Sequence, residues 1–353
     1  MLLTIKRIQV LTLLPLICGS AVVILSMLDL TAQEKKPAVE APTESGPWLS
    51  SIAWLDNSQL VATKSEGLLL RPAQVVKLAA ADTAKLETVG EQESSLWSVL
   101  PIAAGKFVTT DYKGGLYLYG DGDAKKFELD ARWIRATAKA PGDAEILAGT
   151  EDGKLVVLSI ADKKEVRRID AQAAAIFDIT FNHKGDQIAT AAGDGTIKIF
   201  SWPKLDPISR MSRGKEAIWS VVFSDDDTQL ISGGADRRVQ LWDLAKNKSI
   251  MSLQMTSDWI TSLVALPGTS VVACAAMNGK VFLVDYKSML PISHSDVAKS
   301  AIWSMALSPD GTQVAIATRK HGASVIPIAP WIEAAKQAET GELAKEQAPT
   351  PKK

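Results

Sequence analysis

The chain has 353 residues, 46% of them apolar, with 39 Lys and Arg against 40 Asp and Glu for a net charge of −1. That length is about two to three times the usual domain size and fits one large domain or a repeat array, and so large an apolar share excludes a disordered polymer. Balanced charge argues against a dedicated nucleic-acid binder, which needs a basic surplus. Two cysteines and three histidines exclude a disulfide scaffold and leave little for a metal centre.

In chain order, Lys6 and Arg7 come first, ahead of an uncharged run of 21 residues from Ile8 to Leu28. A helix rising about 1.5 Å per residue over that run covers roughly the 30 Å hydrocarbon core of a bilayer. Just behind it, Ala32 is the small residue that signal peptidase cleavage requires. Residues 1–32 therefore read as an apolar helix, either a cleaved signal peptide or an uncleaved signal anchor. Both predict one topology, with the basic end cytoplasmic and the remainder extracytoplasmic, in a periplasm or secretory lumen, secreted or membrane-anchored. Ile17 ahead of Cys18 speaks against a lipoprotein. The text TAQEKKPAVEAPTESG from Thr31 to Gly46 is polar and makes 33–46 a linker. Residues 331–353 are a charged, Ala-rich tail, predicted helical at first and then disordered.

Between these flanks, residues 47–330 repeat one pattern. Three segments align: AIFDITFNHKGDQIATAAGDGTIKIFSW from Ala175, AIWSVVFSDDDTQLISGGADRRVQLWDL from Ala217 and AIWSMALSPDGTQVAIATRKHGASVIPI from Ala301. Each alternates, turns through a polar segment, resumes as a β-rich stretch and turns again at Asp or Gly. Fainter copies begin at Pro47, Ser95, Arg132 and Asp258. Aromatic residues mark all seven starts, Trp48, Trp97, Trp133, Phe177, Trp219, Trp259 and Trp303, at spacings of 49, 36, 44, 42, 40 and 44. A period near 42 with period-two alternation predicts four-stranded units rather than helical repeats.

Leu241-Trp242-Asp243 closes the third stretch of copy five, with degenerate versions in Leu283-Val284-Asp285 and Ile199-Phe200-Ser201. Together with SPDGT and the turn residues Asp152, Asp194 and Asp236, the repeats resemble the WD-repeat (WD40-type) β-propeller family. The resemblance implies an all-β, seven-bladed β-propeller over 47–330. One departure is plain: the family's Gly-His pair between an outer strand and the next blade is absent from every copy. Trp242 thus lacks a histidine to work through, and cohesion is expected to rest mainly on apolar side chains such as Val221, Phe223, Leu230, Ile231, Val239 and Leu241. Each contributes roughly 1.5–3 kcal/mol when buried. Copy seven shows three strands before the helical text PWIEAAKQAE, and Lys36–Glu40 is expected to supply its fourth, with Pro37 tolerable on an edge.

Candidate chemistry is thin. His183, His294 and His321 fall in or beside turns, where exposure is the expectation and no nucleophile is placed. GDG and KGG read as hairpin turns, and the Asp225–Asp227 run as a solvated turn without the spaced ligands of a calcium loop. Cys274 reads as a small buried thiol. What stands out is an aromatic residue at the start of every innermost strand. Trp97, Phe177, Trp219 and Trp303 share one register, and the family's geometry implies a place at the mouth of a central channel. Two readings stay open: the rings wedge between blades, or they hold a peptide or a sugar.

The sequence therefore points to a non-enzymatic protein-interaction scaffold with a protein or peptide partner. It touches a membrane only through its N-terminal segment, and no nucleic acid, cofactor, metal or catalytic residue is expected. The alternative is a propeller enzyme, lactonase-like or cofactor-dependent dehydrogenase-like. Such a site needs Glu, Asp, Asn or His converging on the channel, where the strand starts offer Trp, Ser, Ala and Ile.

Overall fold

Seven antiparallel sheets form the molecule, built in a computed structural model that describes residues 46–65, 70–120, 122–212 and 214–339. The expected N-terminal helix and the proposed strand Lys36–Glu40 lie outside the described residues. Among the described residues no helix is long and apolar enough to cross a membrane.

Each sheet is a blade whose strands follow one another outward in chain order. Blade 5 is typical, with strands Ile218–Phe223, Gln229–Gly234, Arg238–Asp243 and Lys248–Gln254. The other innermost strands are Trp48–Trp54, Leu96–Ala103, Ile134–Lys139, Ile176–Phe181, Ile260–Ala265 and Ile302–Leu307. Blade 7 has three described strands, the last being Ala323–Pro327, followed by helix α1 over Ala329–Glu339. Helix α1 is more than the start of a charged tail. Its Trp331 and Ala335 are buried in the core shared by blades 6 and 7.

Hydrophobic burial organises the wheel between blades rather than within them. Among the described residues there are seven buried clusters, and each spans two neighbouring blades. Val221, Phe223 and Leu230 of blade 5 meet blade 4, while Ile231, Val239 and Leu241 meet blade 6. The alternation of a strand sends successive side chains to opposite faces, so one blade serves both neighbours. Close stacking dictates small residues in the second strands. A Cβ on Gly233 would lie 2.5 Å from Ile260 of the next blade. One glycine of each expected hairpin turn takes positive φ, Gly195 (76°) in GDG and Gly114 (84°) in KGG.

The ring closes through side chains. Leu49, Trp54 and Leu60 of blade 1 share a cluster with Ala315, Ala317 and Ala323 of blade 7. The Trp54 indole also donates to the Ala306 carbonyl at 2.9 Å, and Gly322 N donates to Pro47 O at 3.0 Å.

Polar networks contribute more than the missing histidines suggested. In blade 4, Gln172 occupies the place between outer strand and next blade. Its Nε2 donates to Thr190 Oγ1 at 2.8 Å, and Thr196 Oγ1 donates to its Oε1 at 2.8 Å. Trp242 works through Ser232, donating to its Oγ at 2.8 Å. The Asp225–Asp227 turn is not simply solvated. Asp227, its side chain 6% exposed, accepts from His183 N at 2.9 Å and Lys184 N at 3.1 Å, clasping blade 4 to blade 5.

The remaining single residues are simply placed. His183 Nδ1 lies 2.7 Å from the same carboxylate with its ring largely exposed. His294 sits within the outer strand Leu290–Asp296 against Phe282, and His321 bonds Ser300 at 2.9 Å. Cys274 is fully buried, which raises its thiol pKa.

Candidate binding site at the central channel

Five innermost strands begin with an isoleucine, Ile134, Ile176, Ile218, Ile260 and Ile302, spaced by 42 residues each. Leu49 and Leu96 take the same place in blades 1 and 2. All seven are buried, and every innermost strand carries a β-bulge immediately after that residue. A bulge leaves one residue outside the ladder and re-aims its side chain. Here seven such residues line one cavity of about 270 Å³ on the wheel's axis.

Five of the seven are large: Trp97, Arg135, Phe177, Trp219 and Trp303. The four aromatic residues singled out from the sequence are therefore brought together. They meet across the axis instead of wedging between neighbouring sheets. Trp97 of blade 2 touches Trp303 of blade 7 (centroids 6.2 Å), Trp303 touches Trp219 of blade 5 (6.3 Å), and Trp219 stacks on Phe177 (4.9 Å). Arg135 completes the circuit, its guanidinium carbon 4.8 Å from both the Phe177 and Trp97 ring centres. Seven large groups would crowd the axis, and the two positions the circuit skips hold Ser50 and Thr261. Both are hydroxyls that bond neighbouring carbonyls, Leu96 O at 3.0 Å and Ile302 O at 2.8 Å.

The other three aromatic markers precede the bulge by two residues and join the same cluster. Trp48 contacts Trp303 (5.8 Å), Trp133 contacts Trp97 (5.6 Å), and Trp259 contacts Trp219 (5.6 Å). Trp259 is 42% exposed, and the Arg319 guanidinium reaches the Trp48 ring at 5.6 Å. Trp133 is held at φ 32°, a strained conformation for a bulky residue, with Tyr112 3.9 Å from its ring and the Arg135 guanidinium 3.4 Å above it. Arg135, 10% exposed, also pairs with Glu151. The indole N–H groups of Trp48, Trp133, Trp219 and Trp303 are buried without a hydrogen-bond partner.

One residue beyond each bulge lies a ring the sequence reading missed. Its members are Ser51, Ser98, Ala136, Asp178, Ser220, Ser262 and Ser304. Most reach to the next blade. Ser51 Oγ accepts from Val99 N at 3.3 Å, Ser220 Oγ from Leu263 N at 3.2 Å, and Ser262 Oγ from Met305 N at 3.2 Å. Asp178 Oδ2 accepts from Val221 N at 2.9 Å and from the Ser220 hydroxyl at 3.1 Å. Burial pushes the Asp178 carboxyl up to about 6, against the lowering effect of those donors. The signal was legible as Ser two residues after the leading aliphatic, in LWS, IWS and ITS. Among the described residues no three His, Cys, Asp or Glu side chains gather as metal ligands, and Asp178 is the one carboxylate lining the cavity.

An axial cavity ringed by seven radial sheets defines a seven-bladed β-propeller. The WD domain, G-beta repeat family model matches residues 163–201 and 207–243. Each match runs from the outer strand of one blade through the third strand of the next. Two repeats similar to that family thus sit side by side in a seven-bladed propeller. Comparison with curated proteins yields no match.

Proposed function

We propose that the protein is a non-enzymatic interaction platform that holds a protein or peptide partner at the channel mouth, on the extracytoplasmic side of a membrane to which its N-terminal segment tethers it. WD repeats commonly mediate protein–protein contacts, which gives the reading its general basis. The observation that carries it is the single aromatic cluster fed by all seven blades, with Trp259 left exposed at its border. Rigid indoles in a desolvated surrounding are the residue type that dominates binding energy at interfaces. The tether is supported by the uncharged run from Ile8 to Leu28 behind Lys6 and Arg7, and tethering raises the effective concentration of a module near its partner.

Co-purification from native membranes with the full chain tests the reading. Trp259→Ala, at an exposed position, is expected to lower recovery of the specific partner at least about tenfold while leaving the melting temperature unchanged. Equal recovery would remove the site. Protease treatment of spheroplasts or sealed microsomes tests location separately: export predicts digestion in spheroplasts or protection inside microsomes, and the opposite pattern would sink the export reading.

A further inference from the structure

The axial cavity is unevenly furnished. On the side formed by blades 6, 7 and 1, the Ser262 and Ser51 hydroxyls accept backbone N–H groups, and their own protons find no acceptor among the described residues. The Ser304 hydroxyl, between them in the ring, makes no hydrogen bond to the described residues, its main chain being paired with Ala317. Trp48, Trp219 and Trp303 line the same cavity and add three indole N–H groups without partners. A buried donor left unpaired is destabilising. Spare donors call for a ligand rich in oxygen acceptors.

The charge in the cavity narrows the class. A cation would seek aromatic faces, but Arg135 already lies against Trp97, Trp133 and Phe177. An anion would meet the Asp178 carboxylate, and the charge of Arg135 is taken by Glu151. What remains is a neutral molecule with several oxygens and an apolar face for the indoles. At about 270 Å³ the space is just under the small end of ordinary ligand pockets, which fits one ring rather than a chain.

We infer that the axial cavity is a binding site for a single neutral sugar or similar polyol, stacked on Trp219 and Trp303 and hydrogen-bonded by Ser262, Ser304 and Ser51. The bound oxygens satisfy the hydroxyl protons directly, and small rotations of the indoles bring their N–H groups to bear. The sugar shares the aromatic cluster with the protein partner proposed above, but that reading is tested at Trp259 by partner recovery and this one at Ser304 by sugar affinity, so the failure of one is distinguishable from the failure of the other.

Tryptophan fluorescence of the full chain, titrated with D-glucose, D-galactose and N-acetylglucosamine, tests it. One of them is expected to give a saturable change with Kd in the millimolar range or tighter. Ser304→Ala deletes a hydroxyl that holds no protein group, so it should leave the melting temperature alone and weaken that Kd by about tenfold, the worth of one hydrogen bond. Trp303→Phe keeps the ring, loses the N–H and should weaken binding by a similar factor. No saturable response to any of the three sugars up to about 50 mM would overturn the inference. So would saturation by acetate or tetramethylammonium instead, or equal affinity in Ser304→Ala.

Discussion

Blades 4 and 5 are neighbours, both match the repeat family, and they solve the same problems with different residues. At the rim, blade 4 uses Gln172 to bridge Thr190 and Thr196 and packs Phe200 in its third strand. The corresponding residues of blade 5 are Gly214, Ser232, Arg238 and Trp242. Here the indole itself reaches the serine, and the place of Gln172 is a void of about 210 Å³ beside Gly214 and Trp242. The Gln240 Oε1 bordering that void is buried without a partner. At the axis the order reverses: blade 5 clasps its successor with neutral Ser220, blade 4 with the buried carboxylate of Asp178. Each blade is well made in one place and expensive in the other. The difference teaches that the sheet, not any one hydrogen-bond network, is the repeated unit.

The largest effect should come from removing blade 5's anchor. Trp242 is 1% exposed and packed in the core shared with blade 4. Trp242→Ala should cost about 3–5 kcal/mol through cavity formation and a lost bond, read as a fall in denaturant midpoint. Trp242→Phe, which copies blade 4, should cost only about 1–2 kcal/mol, the worth of the Ser232 bond and its stranded oxygen. If the two variants were equally damaged, the packing account of blade 5 would fail.

Exchanging the axial solution is next. A carboxyl whose pKa rises from 3.8 to about 6 on folding binds its proton more tightly in the folded state. Stability therefore grows as pH falls from about 6 to about 4, and above 6 the penalty stands in full, up to about 3 kcal/mol. Asp178→Ser, the residue blades 5, 6 and 7 use, should raise the melting temperature at pH 7, change it little at pH 4, and flatten the dependence between. An unchanged pH profile in the variant would show that Asp178 does not titrate there. A smaller loss is expected at the rim of blade 4. Gln172→Ala leaves Thr190 and Thr196 without their bridge, for about 1–3 kcal/mol in urea melts; the same substitution at exposed Lys204 serves as the neutral reference.

The sequence made the number of blades legible because a four-stranded unit imposes its length on the chain. It blurred the phase, because the aromatics do not all keep the same place relative to the aliphatic residue that leads each strand. Trp133 and Trp259 fall before the bulge, whereas Phe177, Trp219 and Trp303 fall on it, and that alone turns an even spacing of 42 into 44, 42, 40 and 44. The four rings of the candidate site could be chosen because their register is shared. Their meeting across the axis could not, since it depends on bulges that no residue pattern announces. Gln172 escaped notice for another reason. A carboxamide offers a donor and an acceptor as a histidine does, yet nothing in the text AQAAAI marks it as the bridge. Arg135 was hidden in the same way, a cation at a place where the other large side chains are aromatic.

The finest test asks whether blade 5 can be given blade 4's rim. Gly214 precedes Ile218 by four residues, as Gln172 precedes Ile176, and a Cβ built there meets nothing within 4 Å. Gly214→Gln should place an amide in the void, where its nitrogen can donate to the stranded Gln240 Oε1, and should also restrict the unfolded chain. The two gains together amount to about 0.5–1 kcal/mol, or a rise of a few degrees in melting temperature. Gly214→Ala separates them, because it restricts the chain without filling the space. If Gln stabilised no more than Ala, the void would be mere solvent space, and the likeness of the two rims would end at their backbones.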